Sequence, residues 1–420
     1  MQQLRTIILA AGKGTRMKSQ TPKVLHHVCG RPLIDYVLDI AGAAGSLKTC
    51  VVLGHQIEKV KEHLSSDIEI VLQAQLLGTA DAVRCAQKFF TDYDGDILLL
   101  CGDTPLLRRE TVRNLIQRHR KTKADVTFLT AVVEDSRGYG RVIRDENGRA
   151  IAIREENDAA GIEKTIKEIN VGVYCFRSRT LFTALTKVKK NSRKGEFYLT
   201  DVIEILTAEG RRVETAATPD AAEGRGVNTR VDLAVCHAMI RQRILEDVML
   251  SGVTIVDPST THIDADVKIG QDTIIRPFTV IEHDVRVGGH CVIGPFARLR
   301  PGTRIKDFVE IGNFAEISRT VIGEKTLMKH FGFLGDARVG SAVNIGAGTV
   351  TANFDGHTKS ETTILDGAFI GSDSVLVAPV KVGKKAMTGA GSVVTRGQVV
   401  PDGRIVVGVP ARILEKKNDK

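Results

Sequence analysis

The chain has 420 residues, of which 42% are hydrophobic and 26% charged, and a net charge of +9. One hydrophobic core rarely serves that length, so two domains are expected, and these ordinary fractions exclude a disordered or fibrous chain. With 14 Phe, 5 Tyr and no Trp the chain does not suit a nucleic-acid binder built on stacked rings, whereas its positive balance suits anionic nucleotides and sugar phosphates.

No block of like charges runs beyond a few residues, and neither a nucleic-acid nor a membrane partner is expected. The cysteines at 29, 50, 85, 101, 175, 236 and 291 show no C-x-x-C spacing and are odd in number. They read as apolar filler in a reducing compartment, not as zinc ligands or disulfides. The apolar run 7–11 is too short for a signal peptide or a membrane span, so a cytoplasmic location is expected.

Short β-branched runs at 6–10, 50–53, 68–72, 97–101, 126–133 and 171–176 read as strands. Amphipathic stretches at 32–43, 57–64, 79–89 and 109–120 read as helices between them. This alternation predicts an α/β domain with a mostly parallel sheet, which binds ligands beyond the carboxyl ends of its strands.

Two loops stand at such ends. The first is LAAGKGTRMKSQTPK, Leu9 to Lys23. It is not a Walker A loop, because Gly12 and Gly14 are two apart, nor a dinucleotide fingerprint, because Met17 stands where the third glycine belongs. Glycines still let a backbone approach a phosphate, and Lys13, Arg16 and Lys23 add positive charge. On the residues alone, a tight turn with a solvated basic face fits as well. The second loop is Cys101-Gly-Asp-Thr-Pro105, where Asp103 is either a helix cap or a carboxylate for a hard cation.

A linker helix is predicted over 229–252, with Leu233, Cys236, Ile240, Ile244 and Val248 at helical spacing. Beyond it the period changes. Every sixth residue from Ile263 through Ile269, Ile275, Ile281, Val287, Ile293, Leu299, Ile305 and Ile311 to Ile317 is aliphatic. A second register runs Leu327, Phe333, Val339 and Ile345, and a third runs from Ile364 to Val406. A hexapeptide repeat folds as a parallel β-helix, three short strands to a coil, with the repeated aliphatic inside. About eight coils are expected, with outward loops at the register breaks near 318–326 and 346–363.

Together these features resemble one family over nearly the whole length. These are the bacterial bifunctional enzymes that acetylate glucosamine-1-phosphate and couple the product to UTP, giving UDP-N-acetylglucosamine for peptidoglycan. The resemblance implies a Rossmann-like nucleotidyltransferase (pyrophosphorylase) domain over 1–228, the linker helix over 229–252 and a left-handed β-helical acetyltransferase domain over 253–420. It also implies a homotrimer that uses Mg²⁺ and takes acetyl-CoA as co-substrate.

By this resemblance, Leu9, Ala10, Ala11 and Gly12 contact the nucleotide through their backbone. Arg16 and Lys23 are the catalytic cations, and Gln73, Gly78 and Thr79 in LQAQLLGTADA read uracil. Cys101 and Gly102 lead into Asp103, which binds Mg²⁺ with Asn228 of GVNTR. Gly140 in GYGR, Glu155 in IREEN, Asn170 in EINVG, and Tyr198 and Thr200 in EFYLTD hold the N-acetylglucosamine-1-phosphate.

In the second half, His330 of KHFGFLGD is the base that frees the sugar amine, and Glu316 orients it. Arg300 grips the sugar phosphate. Asn344, Asn353, Phe354 and Lys359 match acceptor or coenzyme positions, and Ala347, Ser372 and Ala390 match acetyl-CoA positions. The chain departs from the family at three places: Ser318 stands for a lysine and Phe333 for a tyrosine in the acceptor site, and Gly408 for an arginine that contacts the coenzyme. These departures leave a second reading open. In it the chain performs uridylyl transfer alone, and the β-helix serves another amino-sugar phosphate or only assembles the trimer.

Overall fold

The computed structural model describes residues 3–54 and 56–414. The chain forms two compact units, Met1–His237 and Ala238–Lys420. The division falls inside the predicted linker helix, which spans Arg230–Leu250.

In chain order the first unit holds β1 (Leu4–Ala10) and a small hairpin, β2 (His27–Val28) with β3 (Arg31–Pro32). Then come β4 (Thr49–Leu53), β5 (Glu69–Leu72), β6 (Asp96–Cys101) and β7 (Val126–Val132). The last strands are β8 (Arg141–Arg144), β9 (Ala150–Arg154), β10 (Glu168–Arg177) and β11 (Val213–Ala217). The main sheet runs β11-β7-β10-β6-β1-β4-β5, with the β8–β9 hairpin on β10. β1 is parallel to β4 and β6, β4 to β5, and β11 to β7. β10 is antiparallel to both β6 and β7, so the sheet is mostly parallel, as the alternation predicts.

The apolar strands are continuous because helices cover both faces. Side chains alternate across a strand, so Ile97 and Leu99 join one core cluster while Leu98 and Leu100 join the other. The helices are α1 (Leu33–Ala43), α2 (Ile57–His63), α3 (Thr79–Cys85), α4 (Arg109–Thr122), α5 (Ser178–Leu185), α6 (Asp201–Ala208) and α7 (Arg230–Leu250). The helix expected over 79–89 stops at Cys85 and tightens into a 3₁₀ turn, Gln87–Phe90, that buries Phe90. All seven cysteines are free thiols. Among the described residues no helix is long and apolar enough to cross a membrane.

The second unit is a parallel β-helix whose strands stack into three sheets. Ile274 pairs with Val292 and Val292 with Glu310, one coil of three hexapeptides at each step. The sixth-residue aliphatics from Ile275 to Ile317 are buried in one continuous core. The small residue two before each, such as Thr273, Cys291 or Ala297, is buried at the corner. The residue before that takes a left-handed conformation at Asp272, Phe278, Asp284, His290 and Phe296. Each such corner costs about 1–2 kcal/mol for a residue with a side chain. Stacking offsets part of it: Phe278 lies on Phe296 at 4.7 Å and Phe296 on Phe314 at 4.9 Å.

The first register break is a correction to the expected loop. Glu310 pairs with Leu327 and Leu327 with Asn344, each one residue short of the regular step. The corners after Ser318 and Gly335 are tightened, and no loop projects. A one-residue slip turns every side chain over, so Ile322, Met328 and Leu334 fill the interior while Leu327 and Phe333 face outward, half-buried. The second break does carry an outward loop, at 353–361, closed by a bridge between Phe354 and Lys359. Replacing Ile311, fully buried, with Ala should cost about 2–5 kcal/mol because a close-packed coil cannot collapse around the cavity. Denaturant unfolding of the purified chain measures it.

Candidate active sites

In the first unit a cleft of about 640 Å³ opens at the carboxyl ends of β1, β5 and β6. Its walls include Leu9, Ala10, Ala11, Gly12, Lys23, Gln73, Gly78, Thr79, Cys101, Asp103, Glu155 and Tyr198. Gly102 closes the floor: its N–H donates to the Leu9 carbonyl at 2.9 Å, and an added Cβ would meet Ala10 at 3.2 Å. Gly14 turns the basic loop with φ of 62°, and the 3₁₀ turn Thr15–Met17 that follows buries Met17.

Four of the sequence-selected polar residues meet at one point. The Lys23 ammonium is paired with the Asp103 carboxylate and donates to Asn228 Oδ1 at 3.3 Å. Arg16 Nη2 donates to the same Asn228 oxygen at 3.1 Å. The loop carrying Asn228 is pinned by Val227 N–H to the Asp103 carbonyl, 2.9 Å. Two protein oxygens, one anionic and one amide, thus converge on a single cation. That donor set fits a hard divalent ion, which prefers carboxylate and carbonyl oxygens and keeps sites for phosphates.

Gln73 is almost fully buried. Its amide nitrogen donates to the Gly78 carbonyl at 3.0 Å and to Asp81 at 2.7 Å. Both donors are therefore spent inside the protein, and only the carbonyl oxygen is left to accept from a base. Gly78 sits at φ 103° against the Phe197 carbonyl, where a Cβ would approach to 2.5 Å. Thr79 accepts from Leu199 N–H at 3.0 Å and so joins α3 to the Tyr198 segment. Burial pushes the Cys101 thiol up to about 12, which suits a lining group and not a nucleophile.

On the sugar side, Thr200 donates to Glu155 Oε1 at 2.9 Å. A Cβ on Gly140 would lie 3.8 Å from both Glu155 and Asn170. Burial pushes the Glu155 carboxyl up, with the Thr200 bond opposing. Among the described residues the buried Tyr198 hydroxyl meets no partner, as expected of a group aimed at a ligand. Asp201, opening α6, is pushed up to about 6 by burial and then by Glu204 and Glu155. A raised carboxyl favours the protonated folded form, so its contribution is full below the ordinary value of 3.8 and is lost as pH rises through about 6. Asp201→Asn should therefore raise Tm at about pH 8, and the gain should shrink as pH falls toward about 4. Thermal melts across that range check it.

In the β-helix, His330 stands at a corner. In successive coils the same corner carries Ala347, Ser372, Ala390 and Gly408, each three residues beyond the paired positions Leu327, Asn344, Phe369, Met387 and Ile405. Backbone bonds tie the column: Gly348 N–H to Phe331 at 2.8 Å, Asp373 N–H to Ala347 at 2.6 Å, and Gly391 N–H to Ser372 at 2.8 Å. The result is an exposed imidazole at one end of a run of small side chains. Asn344 is on the sheet before the corner, and Glu316 and Phe333 are paired neighbours on the sheet after it.

One acceptor-side expectation changes. Glu316 accepts from Arg300 at 2.8 Å, so the structure gives that carboxylate to the arginine and not to His330. Arg319, beside Ser318, does not supply the missing lysine's charge to an acceptor, because it grips Asp336 at 2.6 and 2.9 Å and Ser318 Oγ at 2.8 Å. Asn353 donates to the same Asp336 carboxylate. Lys359 is exposed on the outward loop, where Asp355 accepts from His357 N–H, Thr358 N–H and Arg396.

Residues 5–221 match the nucleotidyl transferase family model, and residues 266–301 match the bacterial transferase hexapeptide model of six repeats. The bifunctional protein GlmU of Fervidobacterium nodosum is 43% identical over 98% of this chain and 96% of its own length. The chain belongs to the bifunctional GlmU family. The GlmU proteins of Shouchella clausii, 43% identical over 93% of both chains, and of Clostridioides difficile, 40% identical over 99% of this chain and 98% of its own, agree. As a GlmU-family chain it is a transferase of two parts, a nucleotidyltransferase joined to a hexapeptide acetyltransferase.

Several residues of the GlmU cleft escape sequence reasoning. Lys194 and Glu196 line it beside Tyr198; Glu196 opens EFYLTD itself, and the only signal for Lys194 is its place two residues before that motif. Asp232 accepts from Asn228 N–H at 3.1 Å and Thr229 N–H at 2.8 Å, while its own N–H donates to Thr229 Oγ1. This reciprocal cap, legible in Thr229-Arg-Val-Asp232, fixes Asn228 at the start of α7.

Proposed function

We propose that the chain makes UDP-N-acetylglucosamine in two steps at two sites. In the β-helix, the amine of glucosamine-1-phosphate attacks the acetyl-CoA thioester, His330 takes the amine proton, and coenzyme A leaves as the thiol. In the cleft, a phosphate oxygen of N-acetylglucosamine-1-phosphate attacks the α-phosphorus of UTP, and pyrophosphate leaves. Arg16 and Lys23 hold the triphosphate and the charge that builds on it. Gln73 accepts from the uracil ring N–H, and Glu155, Asn170, Tyr198 and Thr200 orient the sugar so that the oxygen lies in line. Asp103 and Asn228 hold Mg²⁺, which when bound neutralises phosphate oxygens.

The observation that carries this reading is the convergence of Lys23, Asp103, Asn228 and Arg16 on one point of a cleft in a chain that also carries the His330 column. Coenzyme A lies along the small residues Ala347, Ser372 and Ala390, and Arg300 holds the acceptor phosphate. The β-helix assembles three copies in the cytoplasm, which sedimentation equilibrium tests against the 45.6 kDa chain mass. The deciding assay supplies glucosamine-1-phosphate, acetyl-CoA and UTP together. Thiol release followed by UDP-N-acetylglucosamine is the expected result. Uridylyl transfer to ready-made N-acetylglucosamine-1-phosphate with no thiol release would give the β-helix to another acceptor or to assembly alone.

A further inference from the structure

Among the described residues the first unit contains one fully buried arginine. Arg141, at the start of β8, is 1% exposed. Burying a guanidinium is costly, and an apolar side chain of the same volume often serves stability better. Among the described residues its Nε meets no acceptor, which adds to the cost. Its place in the chain therefore calls for a reason other than packing.

The contacts supply one. Arg141 Nη1 donates to the Tyr139 carbonyl at 2.6 Å and is paired with the Glu156 carboxylate. Glu156 in turn accepts from Gly138 N–H at 2.8 Å, and these two partners hold its carboxyl below the ordinary range. The guanidinium thus closes the 136–140 loop onto the segment after β9. Between those anchor points lies Gly140, whose carbonyl accepts from Asn170 N–H at 2.8 Å. Gly140 has no room for a Cβ, which would meet Ile153 at 2.8 Å. Glu155 is the residue next to Glu156, so the pair that anchors the loop also sets the backbone that carries Glu155.

We propose that Arg141 is a positioning residue for the sugar phosphate, acting with Glu156 to fix Gly140, Glu155 and Asn170 against one another. It touches no substrate atom. The inference rests on the reading that those three residues hold N-acetylglucosamine-1-phosphate. A geometry error of about 1 Å at a binding group is enough to cost 10-fold to 100-fold.

Initial rates of the full chain, with UTP and N-acetylglucosamine-1-phosphate varied separately, test it. Arg141→Met should raise KM for the sugar phosphate about 10-fold while KM for UTP stays within about 2-fold. Arg141→Lys should restore part of the loss. Glu156→Gln, at a side chain 35% exposed, keeps an acceptor for Gly138 N–H and should raise the same KM about 3-fold. An unchanged sugar KM in Arg141→Met, or both KM values rising together, overturns the proposal. If Arg141→Met fails to fold, Glu156→Gln decides it by the same criterion. Glu155→Ala and Asn170→Ala separate the two ideas. If they leave the sugar KM unchanged, the sugar-site reading falls. If they raise it and Arg141→Met does not, only the positioning role falls.

Discussion

Asp103→Ala should lower uridylyl transfer by at least about 10³-fold, roughly 4 kcal/mol of transition-state stabilisation, without unfolding the chain. The loss has two sources. The carboxylate is the only anion among the four groups that meet at the head of the cleft, so its removal takes away the charge proposed to hold a divalent cation there. It also frees the Lys23 ammonium, which is placed by that carboxylate and by Asn228. The fold survives because the structural role of position 103 is in its backbone: the carbonyl that receives Val227 N–H remains in an alanine. Asp103→Asn keeps an oxygen but not the charge and should fall in between. Pyrophosphate release with saturating UTP and N-acetylglucosamine-1-phosphate gives the rate, and a thermal melt gives the fold. Activity retained above about a tenth of the parent's in a folded Asp103→Ala protein would remove Asp103 as the metal ligand. Thiol release at the β-helix should be unchanged in the same variant.

The reach of sequence reasoning can be judged residue by residue. The strand–loop unit ending in Leu9–Gly12 was legible because an apolar run, two glycines and three cations leave few structural options. The hexapeptide period was legible because a β-helix repeats one local environment, so the same residue type recurs at each inward position. The period also carried its own error. Starting a second six-residue register at Leu327 puts Leu327 and Phe333 inside, and only the tightened corners, which local residue types do not announce, put Met328 and Leu334 there instead. The antiparallel β10 is invisible for another reason: strand direction is set by long-range pairing, and an apolar run reads the same either way. The hairpin β8–β9 did carry a signal, Asn147-Gly148, whose glycine takes φ 75° at the turn. Side-chain pairing is the least legible level. Nothing in AEISRT says that Arg319 turns to Asp336 or that Glu316 turns to Arg300, since each choice depends on the coil above or below.

That last point bears on the second large effect. His330→Ala should cut thiol release from acetyl-CoA about 10²- to 10⁴-fold, the usual worth of a positioned general base, and leave uridylyl transfer to ready-made N-acetylglucosamine-1-phosphate intact. The imidazole is exposed at a corner, and its removal opens no cavity in the aliphatic core, so the melt should not move. Glu316 is committed to Arg300, and the backbone of His330 runs between the strands Leu327–Met328 and Gly332–Gly335. Glu316→Gln should then act mainly through Arg300, raising KM for glucosamine-1-phosphate while kcat changes little. A large fall in kcat with KM unchanged would return Glu316 to the histidine. By the family resemblance the acceptor site lacks a cation at Ser318 and a hydroxyl at Phe333, and Arg319 is spent on Asp336. On the proposal that Arg300 grips the acceptor phosphate, its loss should raise that KM further than the loss of Glu316.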